Sequence, residues 1–278
     1  MTENRFLPFP LKAVAFDLDD TLLHDDLTIS DRTVALCRHL RDQGVHILPV
    51  SGRAKMSIRP FVDRLDCASL YITCNGAEVW DAGTHVRLHQ ETFSTALGRE
   101  VARFAREHRC YAQTYSEDRF FYSEESIWAD RYKASSMLPG TYVGDLEAFI
   151  QEPRTKILLM SDEATIRSML LEARERFAGR LSVTCSTPVY LEFNPLAATK
   201  GNALRLAAEL LHISLAQLMA FGDGLNDMTM LQAAGWPVAV ANATPELKAA
   251  ARDICLSNVE DGVAQFLLDR IVAREVVL

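Results

Sequence analysis

The chain contains no C-x-x-C pair among its six cysteines, no excess of basic residues, no repeat and no low-complexity tract. No window approaches about 18 consecutive apolar residues, so no membrane span is expected. Cys37, Cys67, Cys74, Cys110, Cys185 and Cys255 lie scattered, and none stands at zinc-ligand spacing with a histidine. Thiols placed this way fit a reducing cytoplasm rather than a disulfide framework. No basic segment followed by an apolar stretch opens the sequence, so no signal peptide is expected and the protein reads as soluble and cytoplasmic. Lys and Arg number 29 against 37 Asp and Glu, a net charge of −8. That balance argues against a nucleic-acid or anionic-membrane partner. Oligomeric state is not readable.

What is present is ordinary globular material, 49% hydrophobic and 24% charged. A length of 278 residues suggests two domains or one large α/β domain. The first third alternates strand and helix. Ala13–Phe16 is a short apolar run of the kind a strand buried on both faces shows. Ser30 can cap a helix with Thr33, Leu36, Cys37 and Leu40 on one face, ended by Gly44. Val45–Val50 and Leu70–Thr73 read as further strands, although Pro49 has no N–H to give a central strand. The last third repeats the pattern. A helix is capped by Thr199, a strand Leu218–Phe221 ends at Gly222, and a helix runs Asn226–Ala234. A strand Pro237–Val240, a helix start at Thr244-Pro245, a strand Ile254–Leu256 and a helix Val263–Val272 follow. Strand–helix–strand order implies a doubly wound parallel sheet.

The middle differs. Residues 83–194 hold six of the seven tyrosines and carry a net charge of only −2, leaving −6 on the flanks. Turn clusters at Asp81-Ala82-Gly83 and Asn194-Pro195 are hinge candidates. The expected organisation is therefore a discontinuous α/β core, 1–82 and 195–278, with a second α/β domain, 83–194, inserted into it.

Four segments carry chemistry. In Asp17-Leu18-Asp19-Asp20-Thr21, residues i and i+2 of extended chain point the same way, so one pocket at the strand's carboxyl end can receive both carboxylates. An acidic surface turn is the plain alternative. Ser51-Gly52-Arg53 follows the second strand, where a hydroxyl and free N–H groups suit a phosphate oxygen, or where a serine simply caps a turn. Lys200 starts a helix against the dipole, which makes sense if an anion binds there, though a single lysine is usually solvated. Gly222-Asp223-Gly224-Leu225-Asn226-Asp227 crowds two carboxylates and a carboxamide after a strand. That charge is expensive without a cation, and oxygen-only ligands suit Mg²⁺.

In this order the four segments resemble the motifs of the haloacid dehalogenase superfamily of phosphotransferases: Asp17/Asp19, Ser51, Lys200, and Gly222-Asp223 with Asp227. The long insert, with Asn75-Gly76-Ala77 before it, looks like the Cof-type branch with its subclass IIB cap. Asn242-Ala243, Ser257-Asn258 and Glu260-Asp261-Gly262-Val263 extend the resemblance to the end of the chain. Departures are Asp20 where Gly is also common, Ser51 for Thr, Pro49 in the second strand, and Ala241 before Asn242. The segment Asn194–Ala198 also departs from the glycine-containing stretch usual there.

The resemblance implies Mg²⁺-dependent hydrolysis of a small phosphate monoester, a sugar phosphate or a cofactor phosphate. Asp17 would be the nucleophile that forms an aspartyl-phosphate, and Asp19 the acid–base group. Asp17, Asp19, Asp223 and Asp227 would hold or serve the metal. Ser51, Gly52, Lys200 and Asn226 would bind the phosphoryl group, with Arg53 and Asn75 reaching substrate from the rim. A phosphomutase using the same intermediate is one rival reading, and a non-catalytic phosphate-binding regulator is another. His85 and His89 read as a solvated strand rather than a metal pair. Arg99, Arg103 and Arg106 read as the solvated face of a cap helix. Tyr111, Tyr115, Trp128 and Tyr132 read chiefly as cap core.

Overall fold

A computed structural model describes residues 10–270 apart from 117–118, 137 and 186. The first segment gives β1 (Ala13–Phe16), α1 (Asp31–Asp42), β2 (His46–Pro49), α2 (Lys55–Leu65) and β3 (Leu70–Thr73), then the hairpin β4 (Glu78–Asp81) and β5 (Arg87–Gln90). The middle gives α3 (Thr95–Glu107), β6 (Tyr111–Ser116), β7 (Arg119–Tyr122), α4 (Ile127–Ser136) and β8 (Gly140–Tyr142). It continues with α5 (Leu146–Phe149), β9 (Ile157–Met160), α6 (Glu163–Arg176), β10 (Leu181–Thr184) and β11 (Tyr190–Pro195). The last segment gives α7 (Lys200–Leu210), β12 (Leu218–Gly222), α8 (Met228–Ala233), β13 (Trp236–Ala239), α9 (Pro245–Ala250), β14 (Asp253–Ile254) and α10 (Gly262–Arg270).

The strands form a parallel sheet in the order β14-β13-β12-β1-β2, a mixed sheet β10-β11-β9-β6-β7-β8, and an antiparallel sheet β3-β4-β5. The expected class, an α/β parallel-sheet core with an inserted α/β cap, is the architecture found. One hydrophobic cluster joins the two outer segments, from Ala13 through Trp80 and from Ala203 to Leu267. A second lies wholly between Phe93 and Phe193. A third mixes cap residues such as Tyr111 and Tyr132 with Ala54, Cys74, Ala77 and Ala198, and so seals the joint between the units.

Local chemistry explains the elements. Ser30, Thr199 and Thr244 each accept a backbone N–H of the first helical turn, as N-caps do. Gly44 takes φ +78° after α1. Pro49 is accommodated by breaking a ladder. Even-numbered residues of β2 bond to β1, as His46 N–H to Lys12 O and Val50 N–H to Phe16 O do. Odd-numbered ones face β3: Ile47 O accepts from Ser69, and Ser51 N–H donates to Ile72 O. Pro49 falls between these two, and β2 meets β3 only through isolated bridges at Ile47 and Val50.

Both hinge candidates move. Residues 82–84 are the turn of the β4–β5 hairpin, so the chain stays with this sheet until Gln90. Asn194 and Pro195 end β11, paired with Ser182 and Leu181, and the turn follows at Leu196-Ala197. Proline is tolerated there because pairing with β9 has already stopped at Phe193. The helix expected from Asn226 is a short 3₁₀ turn followed by α8. Of the last expected helix, α10 covers Gly262–Arg270, and Val272 lies outside the described residues.

Two glycines set the distance between elements. A Cβ on Gly201 would lie 2.2 Å from the Thr229 carbonyl oxygen, and one on Gly76 would lie 2.3 Å from that of Thr199. Gly76 also has φ +101°. The Gly201 contact lets α7 touch α8, which brings Lys200 beside Asp227. Gly201→Ala is expected to cost about 1–3 kcal/mol, the usual penalty of overpacking. Urea denaturation measures it; an unchanged midpoint would mean that the two helices separate freely.

Candidate active site

β1 and β12 run side by side from Ala13↔Leu218 to Phe16↔Phe221, so the residues after each strand emerge together. Asp17 N–H donates to Phe221 O at 3.0 Å. Asp17 is thereby fixed beside the Gly222-Asp223 turn at the carboxyl edge of the sheet, where open α/β sheets bind ligands. After Asp17 the chain makes a single π turn, closed by Leu23 N–H on Leu18 O, with Asp20 at φ +55°.

The centre is a buried knot of charge. Lys200 Nζ lies 2.9 Å from Asp17 Oδ1 and 2.6 Å from Asp227 Oδ1, with 0% of the lysine side chain exposed. Asp227 Oδ2 accepts the N–H groups of Asp223 and Gly224, each at 3.0 Å. Asp223 Oδ1 accepts Thr21 Oγ–H at 2.9 Å. Asp17, Asp223 and Asp227 bring carboxylate oxygens within 4.8 Å of one another. Burial, followed by Asp227, pushes the Asp17 carboxyl well up, with Lys200 opposing. Burial and Asp227 raise Asp223 to about 7. Lys200 stays charged because the two aspartates outweigh its desolvation. Three carboxylates against one ammonium leave a negative excess held by oxygen ligands alone, and this donor set suits a hard divalent cation such as Mg²⁺.

Around this knot the expected residues divide. Asp17, Asp19, Gly52, Arg53, Asp223 and Asn226 line a cavity of about 280 Å³. Ser51, Asn75, Lys200 and Asp227 stand buried behind its wall. Arg53 forks onto Asp19, with Nε–Oδ2 at 2.9 Å and Nη2–Oδ1 at 2.6 Å, so the rim arginine grips the second aspartate. Ser51 Oγ accepts Arg53 N–H at 3.1 Å, which leaves its O–H free to donate elsewhere. Asn226 Nδ2 donates to Asn75 Oδ1 at 3.2 Å.

The opposite wall comes from the inserted unit: Tyr132, Ser135, Ser136, Lys156, Leu158, Thr187, Tyr190 and Glu192. None of these except Tyr132 stands out in the sequence. Lys156 and Glu192 do carry a signal, each being a charge set beside the apolar run of a buried strand. Thr21 is a further miss, although it closes the first acidic segment. The features set aside stay aside. β5, which holds His89, is largely exposed, whereas His85 precedes the strand and sits partly buried 3.8 Å from Asp63. Arg103 and Arg106 pair with Glu147, and Arg99 donates to Ile150 O.

Residues 14–267 match the haloacid dehalogenase-like hydrolases. The chain belongs to that family. This hydrolase is 29% identical over 257 residues to a Bacillus subtilis protein named 5-amino-6-(5-phospho-D-ribitylamino)uracil phosphatase, covering 92% of this chain and 94% of that one. A solved haloacid dehalogenase-like hydrolase from Bacteroides thetaiotaomicron superposes with a TM-score of 0.84 at 25% identity, covering 96% and 100% of the two chains. A subclass IIB sugar phosphatase superposes at 0.81 and 21% identity, covering 92% and 97%, and shares the fold. The resemblance read from the motifs, Cof-type branch included, therefore holds. Among the described residues of the hydrolase, no helix is long and apolar enough to cross a membrane.

The raised carboxyls of Asp17 and Asp223 make stability depend on pH and metal. Between about pH 4 and pH 7 an unfolded chain releases these protons while the folded one keeps them. The folded state then binds more protons, and its stability falls as pH rises. Without metal, Asp223→Asn is expected to flatten that fall, and Mg²⁺ to raise the wild-type melting temperature most near the top of the window. Thermal melts across pH with and without Mg²⁺ measure this; identical pH slopes for wild type and variant would contradict it.

Proposed function

We propose that this enzyme hydrolyses a small-molecule phosphate monoester, a sugar phosphate or cofactor phosphate, with Mg²⁺ and through an aspartyl-phosphate on Asp17. The observation that carries the reading is the Asp17–Lys200–Asp227 knot beside Asp223, open to a cavity on the side of Asp17 and Asp223 only. A bound Mg²⁺ would neutralise charge so that a carboxylate can approach a phosphate anion. Asp17, Asp223 and, as the resemblance implies, the Asp19 carbonyl would hold it, with Asp227 bracing the turn that carries Asp223.

Asp17 then attacks phosphorus in line, forming an O–P bond as the ester P–O bond breaks. Lys200 fixes the attacking carboxylate. The Ser51 hydroxyl, the Gly52 N–H and the Asn226 amide take the phosphoryl oxygens, where negative charge grows. Asp19, at the cavity rim, acts as acid and base once it turns from Arg53 and carries a proton: it gives that proton to the leaving oxygen and takes one back from the water that cleaves the aspartyl-phosphate. The inserted unit, from α3 to β11, acts as the cap. The Tyr132 and Tyr190 rings with the hydroxyls of Ser135 and Thr187 suit a cyclic or polyhydroxylated leaving group. The relatives support this, one being named for a phosphorylated ribityl compound and another for sugar phosphates.

Asp17→Asn keeps the size of the side chain but loses the attacking anion. Turnover of a phosphomonoester panel assayed with Mg²⁺ is expected to vanish, and a beryllium fluoride adduct to form on Asp17 of the wild type. An adduct on another residue, or full activity in excess chelator, would sink the mechanism.

Asp19→Asn is expected to slow alkyl phosphates by about 10²–10⁴-fold in the first step and nitrophenyl phosphate far less, because an alkoxide needs the proton and a nitrophenolate does not. Rapid-quench kinetics should also show a nitrophenol burst, as the second step still lacks its base. Equal losses for both leaving groups without a burst would assign Asp19 to shaping the metal site alone.

A further inference from the structure

The cavity wall contributed by the inserted unit holds a buried ion pair that the steps above do not use. Lys156 precedes β9 and Glu192 lies on β11; Nζ and Oε1 are 2.7 Å apart, and the side chains are 5% and 3% exposed. Both also reach across to the parallel-sheet unit. Lys156 Nζ donates to the Gly52 carbonyl at 3.0 Å, and Glu192 Oε2 accepts from Asn75 Nδ2 at 2.6 Å. Two relays start there. One passes through Asn75 Oδ1 to the Asn226 amide. The other passes through the Gly52–Arg53 peptide plane, whose N–H donates to Ser51 Oγ. A buried ion pair adds little net stability, so retaining one across an interface asks for another reason.

We propose that Lys156 and Glu192 are positioning residues that tie the seating of the cap to the aim of the two phosphoryl-binding loops. Glu192 orients the Asn226 amide through Asn75, and Lys156 fixes the peptide whose N–H occupies Ser51 Oγ and leaves the Ser51 O–H to donate. With the cap seated, both of these donors are held in place at the cavity's edge. Without it, Asn75 loses its acceptor and the Gly52 carbonyl its donor, so the loops lose their alignment. The inference rests on the phosphoryl-binding reading of Ser51 and Asn226.

The double variant K156M/E192L removes both charges and leaves no orphaned one. Its kcat on nitrophenyl phosphate is expected to fall about 10²-fold with KM little changed, as misplaced groups cost rate rather than binding. Inhibition by orthovanadate, which adopts the geometry of the transferring phosphoryl group, should weaken in parallel. Wild-type kcat and vanadate inhibition in the double variant, or a loss confined to KM, overturns the proposal. The isosteric variant Glu192→Gln gives a second reading should the double variant not fold. It should lower kcat in the wild-type background and add nothing in Asn75→Ala, whereas equal losses in both backgrounds overturn the relay. A wild type that hydrolyses no phosphomonoester would instead sink the reading beneath it.

Discussion

The ammonium of Lys200, held without exposed surface between Asp17 and Asp227, is the contact on which the arrangement of the site depends. It joins three stretches of chain that meet only in the finished fold: the end of β1, the start of α7 and the turn after β12. Each stretch needs its own condition. β1 must pair with β12 in the register that sets Asp17 beside Gly222. Thr199 must start α7 so that Lys200 is its first residue, and Gly201 must let α7 rest on the Thr229 backbone. Burying such a set is costly, and apolar replacements of similar volume commonly stabilise a fold at least as well. The knot is therefore poorly accounted for as a fastening, and on the proposed reading it is a fixed carboxylate beside a cation site.

Much of this was legible because the parts are local. A four-residue apolar run marks β1 and another marks β12. Serine or threonine at the right offset marks the caps of α1, α7 and α9. The acidic segments announce themselves by following strands. The hidden parts depend on pairing that no local pattern encodes. Glu192 reaches Asn75 from 117 residues away, and nothing around either residue names the other. Asn194-Pro195 reads as a turn by composition. Its place as the end of β11 is set by β10, which continues beyond the edge of β9. Pro49 looked out of place for a related reason, since the cost of its missing N–H depends on which neighbour that position faces.

The two walls of the cavity follow from the two halves of the topology. The parallel sheet supplies charge, because its strand ends gather acids at one edge. The mixed sheet supplies rings and hydroxyls, because the faces of β9 and β11 and the end of α4 turn toward that edge. Seating one on the other buries Tyr132, Ala54, Cys74 and Ala198 in a shared cluster. It also makes the Ser57 hydroxyl donate to Ser136 O at 3.0 Å. The joint is thus packed and hydrogen-bonded rather than merely adjacent, and the chemistry of one wall is coupled to the placement of the other.

That coupling has an electrostatic side, which supports the cation of the proposed function on grounds separate from kinship. The cavity is lined by six carboxylates, Asp17, Asp19, Asp20, Asp25, Glu192 and Asp223, against Arg53 and Lys156. Arg53 is already committed to Asp19, and Lys156 to Glu192. Lys200, the other cation close by, sits behind the wall with Asp17 and Asp227. A phosphate dianion entering this cavity meets cations that are already paired and carboxylates that are crowded. Repulsion between like charges a few ångströms apart is only weakly screened once water is displaced. Under the proposed function, a divalent cation joining the carboxylates that Lys200 leaves uncompensated would make entry of the anion favourable. On the proposed reading, the same burial that pushes up the Asp17 and Asp223 carboxyls would make the cation part of the binding site for the substrate, and not an addition to a site already complete.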